Sequence, residues 1–351
     1  NYAQGAGGGI FEDHTDATIL KITGSTISAN IAGSVGGGVG LEIGGTTTIN
    51  RTAIFNNQSG SWGGGVFANN ALVMSNSIVY GNSGGTGISF HSDDNHRIVN
   101  TVISDNPTGN IMLDVYPQQE NEINFEYNNI ENVYDGILYS ENNVGQVIMG
   151  EQNIDVDPMF VDTANGNYNL LASSQLINAG HPDSLDSDGT VADIGAYPYL
   201  NSYSGPTWYI SENGNDTTAT GASDDPYRSI QAGINFSSDA DSVTVAAGTY
   251  VENINFRGRN IKVVGADQET TIIDGDSSGI AVMINNTISS SLLDGFTIQN
   301  GSGSSGFSNG AGVYCDHCMT VLKNLTVTDN IQDQSGDGSA IFSLGGNLTI
   351  D

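Results

Sequence analysis

The sequence predicts an all-β fold: a right-handed parallel β-helix in two portions separated by capping segments. Three observations predict it. The 351 residues include 47 Gly but only 8 Lys and Arg; β-branched and turn-forming residues are abundant and helix-favouring ones sparse. A phrase of alternating β-branched residues ending in Asn recurs as Ser25-Thr-Ile-Ser-Ala-Asn30, Thr52-Ala-Ile-Phe-Asn-Asn57, Ser77-Ile-Val-Tyr-Gly-Asn82 and Thr101-Val-Ile-Ser-Asp-Asn106. A glycine phrase interleaves with it: Gly7-Gly-Gly-Ile-Phe11, Gly36-Gly-Gly-Val39 and Gly63-Gly-Gly-Val-Phe67.

A unit of about 24–30 residues with short strands and Gly or Asn corners is one turn of a solenoid, stacked in parallel on the next turn ~4.8 Å away. Residues 1–150 are read as such a body. Ile27, Ile54, Ile78 and Ile103 are expected to point inward as an aliphatic column. Gly clusters make the tight corners, and the recurrent Asn is expected to bond its equivalents above and below as a ladder. Leucine-rich repeats are excluded by the missing Leu frame, and propeller blades would be longer and antiparallel.

Residues 151–200 lose the period and are read as a closing cap over an open end. Residues 201–206 read as a linker and 207–242 as an opening cap, with helix-like spacing at Ile230 and Ile234. Residues 243–351 resume the solenoid, where Phe296-Thr-Ile-Gln-Asn300, Gly310-Ala-Gly-Val-Tyr314 and Leu325-Thr-Val-Thr-Asp-Asn330 repeat both phrases.

Trp208-Tyr-Ile-Ser211, Pro226-Tyr-Arg-Ser-Ile-Gln-Ala-Gly-Ile234 and Val245-Ala-Ala-Gly-Thr-Tyr-Val-Glu-Asn253 resemble the opening of bacterial pectate-lyase-like β-helix proteins. Leu176-Ile-Asn-Ala-Gly180 through Asp193-Ile-Gly-Ala-Tyr-Pro198 resembles the closing segment of surface β-helix proteins of the choice-of-anchor type. The resemblance implies a right-handed β-helix in a bacterial cell-surface setting and implies no particular activity.

The order body, closing cap, opening cap, body suggests one period of a larger array. Asn347-Leu-Thr-Ile-Asp351 followed by Asn1 reads like Leu325-Thr-Val-Thr-Asp-Asn330, so the natural module is expected to run 207–351 and then 1–206. The competing reading is a fragment of a two-domain protein. The chain opens at Asn1, as expected of a processed chain or a piece of a longer one.

The formal net charge is -31. Such a surface excludes nucleic-acid binding through basic contacts and argues against an anionic membrane. No apolar run approaches the ~20 residues of a spanning helix. A glycan-cleaving β-helix needs a cationic base or paired carboxylates facing a groove. Arg257, Arg259 and Lys262 cluster in one early coil near Glu252, but the acidic surface would repel a polyuronate. Arg228 lies in the opening phrase and is read as structural. Acidic residues such as Asp105, Asp135 and Asp329 fall at corners, where turn formation explains them.

His91-Ser-Asp-Asp-Asn-His96-Arg97 gathers His and Asp in one bend, which reads as a solvated loop or a transition-metal site. Asp186 and Asp188 precede Gly189, with Asp193 after them, and resemble a Ca²⁺ loop that lacks the terminal Glu of an EF-hand. Cys315-Asp-His-Cys318 has no helix start for redox chemistry and no second pair for zinc, so a local disulfide is expected, with free thiols the alternative. Phe11 and Phe67 recur at equivalent positions and are expected in a core stack, whereas Trp62 is expected at the surface.

These residues together predict an extracellular or cell-surface structural and adhesive protein without catalytic residues. Its expected partners are copies of itself or a surface glycan, and Ca²⁺ is the one expected cofactor. A polysaccharide lyase or glycoside hydrolase is the alternative, and a carbohydrate-binding module, signalled by a row of solvent-facing aromatics, is the third reading.

Overall fold

The computed structural model describes every residue except 14–18, 43, 93, 115–121, 133–136, 140–145, 151, 289–290, 304–309 and 333–337. Asp93 and Asp135 lie outside the described residues. The chain is a parallel β-solenoid. It divides into two compact units: Asn1–Pro158 with Asp162–Asn169 and Gln175–Leu200, and Met159–Val161 with Leu170–Ser174 and Asn201–Asp351.

Three parallel sheets of five or six strands build most of the first unit, beside the parallel pair Tyr2–Ala3 with Ile31–Ala32. The first sheet stacks Ile10–Glu12, Val39–Leu41, Val66–Ala68, Ile88–Phe90, Ile111–Leu113 and Ile137–Tyr139. The second stacks Ile19–Thr23, Thr46–Asn50, Ala71–Ser75, His96–Val99, Glu122–Glu126 and Gln146–Met149. The third stacks Thr26–Ser28, Ala53–Phe55, Ile78–Tyr80, Val102–Ser104 and Asn129–Ile130. Each strand pairs with the one a full turn away, for example Ile10 with Val39 and Val39 with Val66.

Most strands of the second and third sheets stay short because they end at left-handed corners. Gly24, Arg51, Asn76, Asn100 and Tyr127 have φ between 45° and 58° and separate the second sheet from the third. Ala29, Asn56, Gly81 and Asp105 do the same after the third sheet. Asn and Asp tolerate this region better than β-branched residues do. The residue after each of these latter corners is Asn30, Asn57, Asn82 or Asn106.

The asparagines form the expected ladder. Asn1 Nδ2 donates to Asn30 Oδ1 at 2.8 Å. The backbone N–H and Nδ2 of Asn30 both donate to Asn57 Oδ1, at 3.0 and 2.9 Å. Asn57 repeats the pair on Asn82, and Asn82 on Asn106. A second file runs along the other corner, from Thr52 N to Ser77 Oγ and from Thr101 N to Asn128 Oδ1. Buried polar groups are thus satisfied by their own equivalents one rung away.

The apolar core is an aliphatic column, offset in one place from expectation. Ile27 pairs with Ile54, Ile54 with Val79 and Val79 with Ile103, and all four belong to the buried core. Ile78 pairs with Ala53 and Val102 instead, on the opposite face of the strand. Phe11 and Phe67 also differ from expectation. They share a register through Gly40, while the core positions of those strands are Val39, Leu41, Val66 and Ala68. The two rings therefore face outward, and Phe11 is 45% exposed.

Residues 162–169 and 175–200 of the first unit run along the outward face of the third sheet. Tyr168 packs on Phe55 and Tyr80, with ring centroids 4.6 and 5.3 Å apart. Gly195 sits over Val102 and Ile78, where a Cβ would stand 3.6 and 3.8 Å from their side chains. His181 N and Gly195 N donate to Asn100 Oδ1 and O. Asp186 faces Arg51 at 3.7 Å, and the Tyr197 hydroxyl faces Thr26 at 3.4 Å. This strap crosses rungs from Thr26 to Val102 along a side of the stack, while Asn153, Ile154 and Val156 bond Asn128, Asn129 and Ile130 on the last rung of the third sheet.

In the second unit Thr207–Ile210, Ser242–Val245, Lys262–Gly265 and Ser291–Gln299 are parallel neighbours. Ile254–Asn255, Val282–Asn285, Val313–Cys318 and Ile341–Gly346 form another parallel sheet. Helix α1, Ile230–Phe236, starts at the cap Ser229, and the Glu252 carboxylate accepts from Ile230 N and Gln231 N at 2.8 and 2.9 Å. These bonds satisfy donors that the first turn leaves free. Cys315 and Cys318 are disulfide-bonded with Cα atoms 5.7 Å apart. Thr349 pairs with Val321 and Ile350 with Leu322, so the segment ending at Asp351 lies in the register of Val321–Lys323. The likeness of its wording to Leu325–Asn330 does not reflect an equivalent place in the rung.

Candidate functional site

The outward side of the first sheet carries the densest set of chemically useful side chains among the described residues. Four strands of that sheet end on the core residues Leu41, Ala68, Phe90 and Leu113, and the next residue turns out. Glu42 N, Asn69 N, His91 N and Asp114 N donate to the carbonyls of Glu12, Leu41, Ala68 and Phe90 at 2.8–3.0 Å. These bonds hold Glu42, Asn69, His91 and Asp114 in one file, one rung (~4.8 Å) apart. Within it Asn69 Nδ2 lies 3.4 Å from Glu42 Oε2, and His91 Nδ1 lies 3.3 Å from Asp114 Oδ2.

Aromatic rings flank the file. The His91 ring is held between Trp62 and Phe67, with centroids 4.6 and 4.7 Å away. Trp62 is 44% exposed, while Phe67 is buried. Burial pulls the His91 pKa below its usual value, and the Asp114 carboxylate opposes that shift. The imidazole is therefore neutral at neutral pH. The tautomer that satisfies Asp114 carries its proton on Nδ1, which leaves Nε2 as an acceptor. That Nε2 is buried and has no hydrogen-bond partner. The arrangement offers ring faces, carboxylates, an amide and a neutral imidazole, which suits recognition of hydroxyl-rich ligands.

His96 does not join His91. It is buried facing the core, where its Nδ1 accepts from Leu72 N at 3.2 Å and its ring lies edge-on to Phe90. Burial pushes its pKa down to about 4. The neighbouring Arg97 pairs with Glu126 at 2.7 Å.

Asp186, Asp188 and Asp193 share one loop, but each carboxylate holds the loop's own groups. Asp186 Oδ2 accepts from Asp193 N at 2.8 Å, and Asp193 accepts from Asn178 N and Tyr199 N. Asp188 accepts from the Thr190 N–H and hydroxyl. No three His, Cys, Asp or Glu side chains converge as a metal-holding group among the described residues.

Arg257 and Arg259 serve the helix. Arg257 Nη1 donates to Asn235 Oδ1 at 2.9 Å, and Arg259 Nη1 donates to Ile234 O. Cations at a helix C-terminus are favourable. Arg259 is pulled down to about 9 by burial and by Arg257. A polar hollow of about 420 Å³ in the second unit is lined by Val264–Gln268, Asp294, Gly295 and Asn324, with Asn324 Nδ2 on Asp294 Oδ1 at 2.8 Å.

Sequence reasoning named Trp62 and His91 but missed the file. Its signal was present: the residue after each first-sheet strand is polar on successive rungs. No protein-family model, no curated protein and no solved structure matches this chain.

Proposed function

We propose that this chain is a module of an extracellular structural and adhesive surface protein, stacked with further rungs of its own kind into a filament or tandem array. The observation that supports it is the hydrogen-bonded file Asn1–Asn30–Asn57–Asn82–Asn106. Its interior polar chemistry serves cohesion along the stacking axis. Edge strands Ile10–Glu12, Ile19–Thr23 and Thr26–Ser28 each have one neighbour among the described residues, and such edges accept another rung. The net charge of -31 keeps stacks apart sideways. Of the cationic cluster Arg257, Arg259 and Lys262, the two arginines bond the end of helix α1. Electron microscopy of the native material is the test. Fibres or rods with a regular axial repeat are expected, and isolated globular particles that release unsaturated sugars from a polyuronate would overturn the reading.

A further inference from the structure

We infer that the outward side of the first sheet around Trp62 is a binding site for a neutral polysaccharide. This rests on the adhesive part of the function proposed above and names its ligand class.

Four observations carry it. Trp62 is 44% exposed, and the His91 ring packs against both Trp62 and Phe67, with centroids 4.6 and 4.7 Å away. Aromatic residues combine apolar contact area with a defined orientation at low entropic cost. Phe11 is the second half-exposed ring on this side, two strands from Phe67 with Gly40 between them. Phe11 stands two rungs, about 10 Å along the stack, from Phe67, the buried ring on which His91 packs. Beside the rings run Glu42, Asn69, His91 and Asp114, which supply acceptors and an amide at one-rung intervals. Small-molecule sites characteristically pair an apolar surface with a few placed polar groups.

The unsatisfied His91 Nε2 points to a ligand independently. Its side chain is only 9% exposed, and a buried acceptor left without a donor costs about 1–3 kcal/mol.

The charge of the site selects the class. Glu42 and Asp114 lie in the file, and the chain carries 39 Asp and Glu against 8 Lys and Arg. A polyuronate or sulfated glycan would be repelled. A neutral glycan has hydroxyls for these acceptors and C–H faces for Trp62.

The test is affinity electrophoresis of the whole chain through native gels containing laminarin or xyloglucan, with alginate as the anionic comparison. Retardation by a neutral polysaccharide and not by alginate is expected. Trp62→Ala should weaken it by about tenfold or more, and Trp62→Tyr should retain most of it. Trp208, the other tryptophan, is buried, so a ligand-dependent fluorescence change reports on Trp62. If Trp62→Ala lowers the melting temperature, Asn69→Ala tests the polar side and should also weaken retardation. Absence of retardation by both neutral polymers overturns the site, as does equal retardation by alginate or full retention in Trp62→Ala and Asn69→Ala. Fibres seen by microscopy alongside absent retardation would remove this site and leave the structural reading standing.

Discussion

A Cβ placed on Gly38 would stand 3.0 Å from the amide nitrogen of Asn57. The same closeness joins Gly9 to Asn30, Gly65 to Asn82 and Gly312 to Asn330, at 2.9–3.0 Å. The interleaved glycine and asparagine phrases are therefore one device: the third glycine leaves the space that the ladder amide fills. Gly38→Ala should press its methyl on Gly65 O, Ile54 Cγ2 and Asn57 Nδ2, at 2.7, 2.9 and 3.0 Å. We expect a loss of about 1–3 kcal/mol in urea unfolding. An unchanged midpoint would show that the rung relaxes freely.

Asn82 is the middle of the ladder. Asn82→Ala removes the acceptor of Asn57 N and Nδ2 and the donor to Ile54 O. Buried groups left unpaired cost about 1–3 kcal/mol each, so a total of about 2–4 kcal/mol is expected. Asn82→Asp keeps the acceptor but buries a carboxylate, and should destabilise more at pH 7 than at pH 4. Equal effects at the two pH values would contradict a buried ladder.

His96 sets an acid limit. Its folded pKa of about 4 lies below the ordinary 6.5 because burial disfavours the charged ring. The unfolded chain takes up the proton first as pH falls, so this contribution is complete above about 6.5 and drains away between 6.5 and 4. Asp193, pushed up to about 7 by burial, acts in the opposite sense: its contribution is complete below its ordinary 3.8 and is lost as pH rises through 7. Urea midpoints measured from pH 4 to 8 should lose part of their acid slope in His96→Gln and part of their alkaline slope in Asp193→Asn. Slopes unaltered in both variants would reject these assignments.

Tyr168 anchors the strap on Phe55 and Tyr80 and is 1% exposed. Tyr168→Ala should cost about 3–5 kcal/mol, felt first in the strap. Limited proteolysis should then cut within residues 162–200 while the rungs of Asn30–Asn106 stay protected. Cleavage no faster than in the parent chain would mean that the strap is held elsewhere.

Cys315 and Cys318 are both fully buried. Because they are bonded to each other, denatured but unreduced protein should show no reactive thiol. Closing so short a loop stabilises by about 2 kcal/mol on the chain-entropy view, and Cys315→Ser with Cys318→Ser should lower stability by about that amount. Two reactive thiols in the unreduced chain would contradict the bridge.

The sequence by itself determined the rung. Ile27, Ile54 and Ile103 and the asparagine file follow from spacing and local conformational preference, because each repeat faces a copy of itself one turn away; the left-handed corners at Ala29, Arg51 and Tyr127 do not. Which of the adjacent Ile78 and Val79 points inward was decided only by register, since either satisfies a period of two. The tertiary structure also decided the strap, the outward turn of Phe11 and Phe67, the use of Arg257 and Arg259 on helix α1, and the file from Glu42 to Asp114. Those features join residues whose separations vary from rung to rung or exceed a single repeat. Contacts of that kind depend on how the loops between strands pack, which no local pattern encodes.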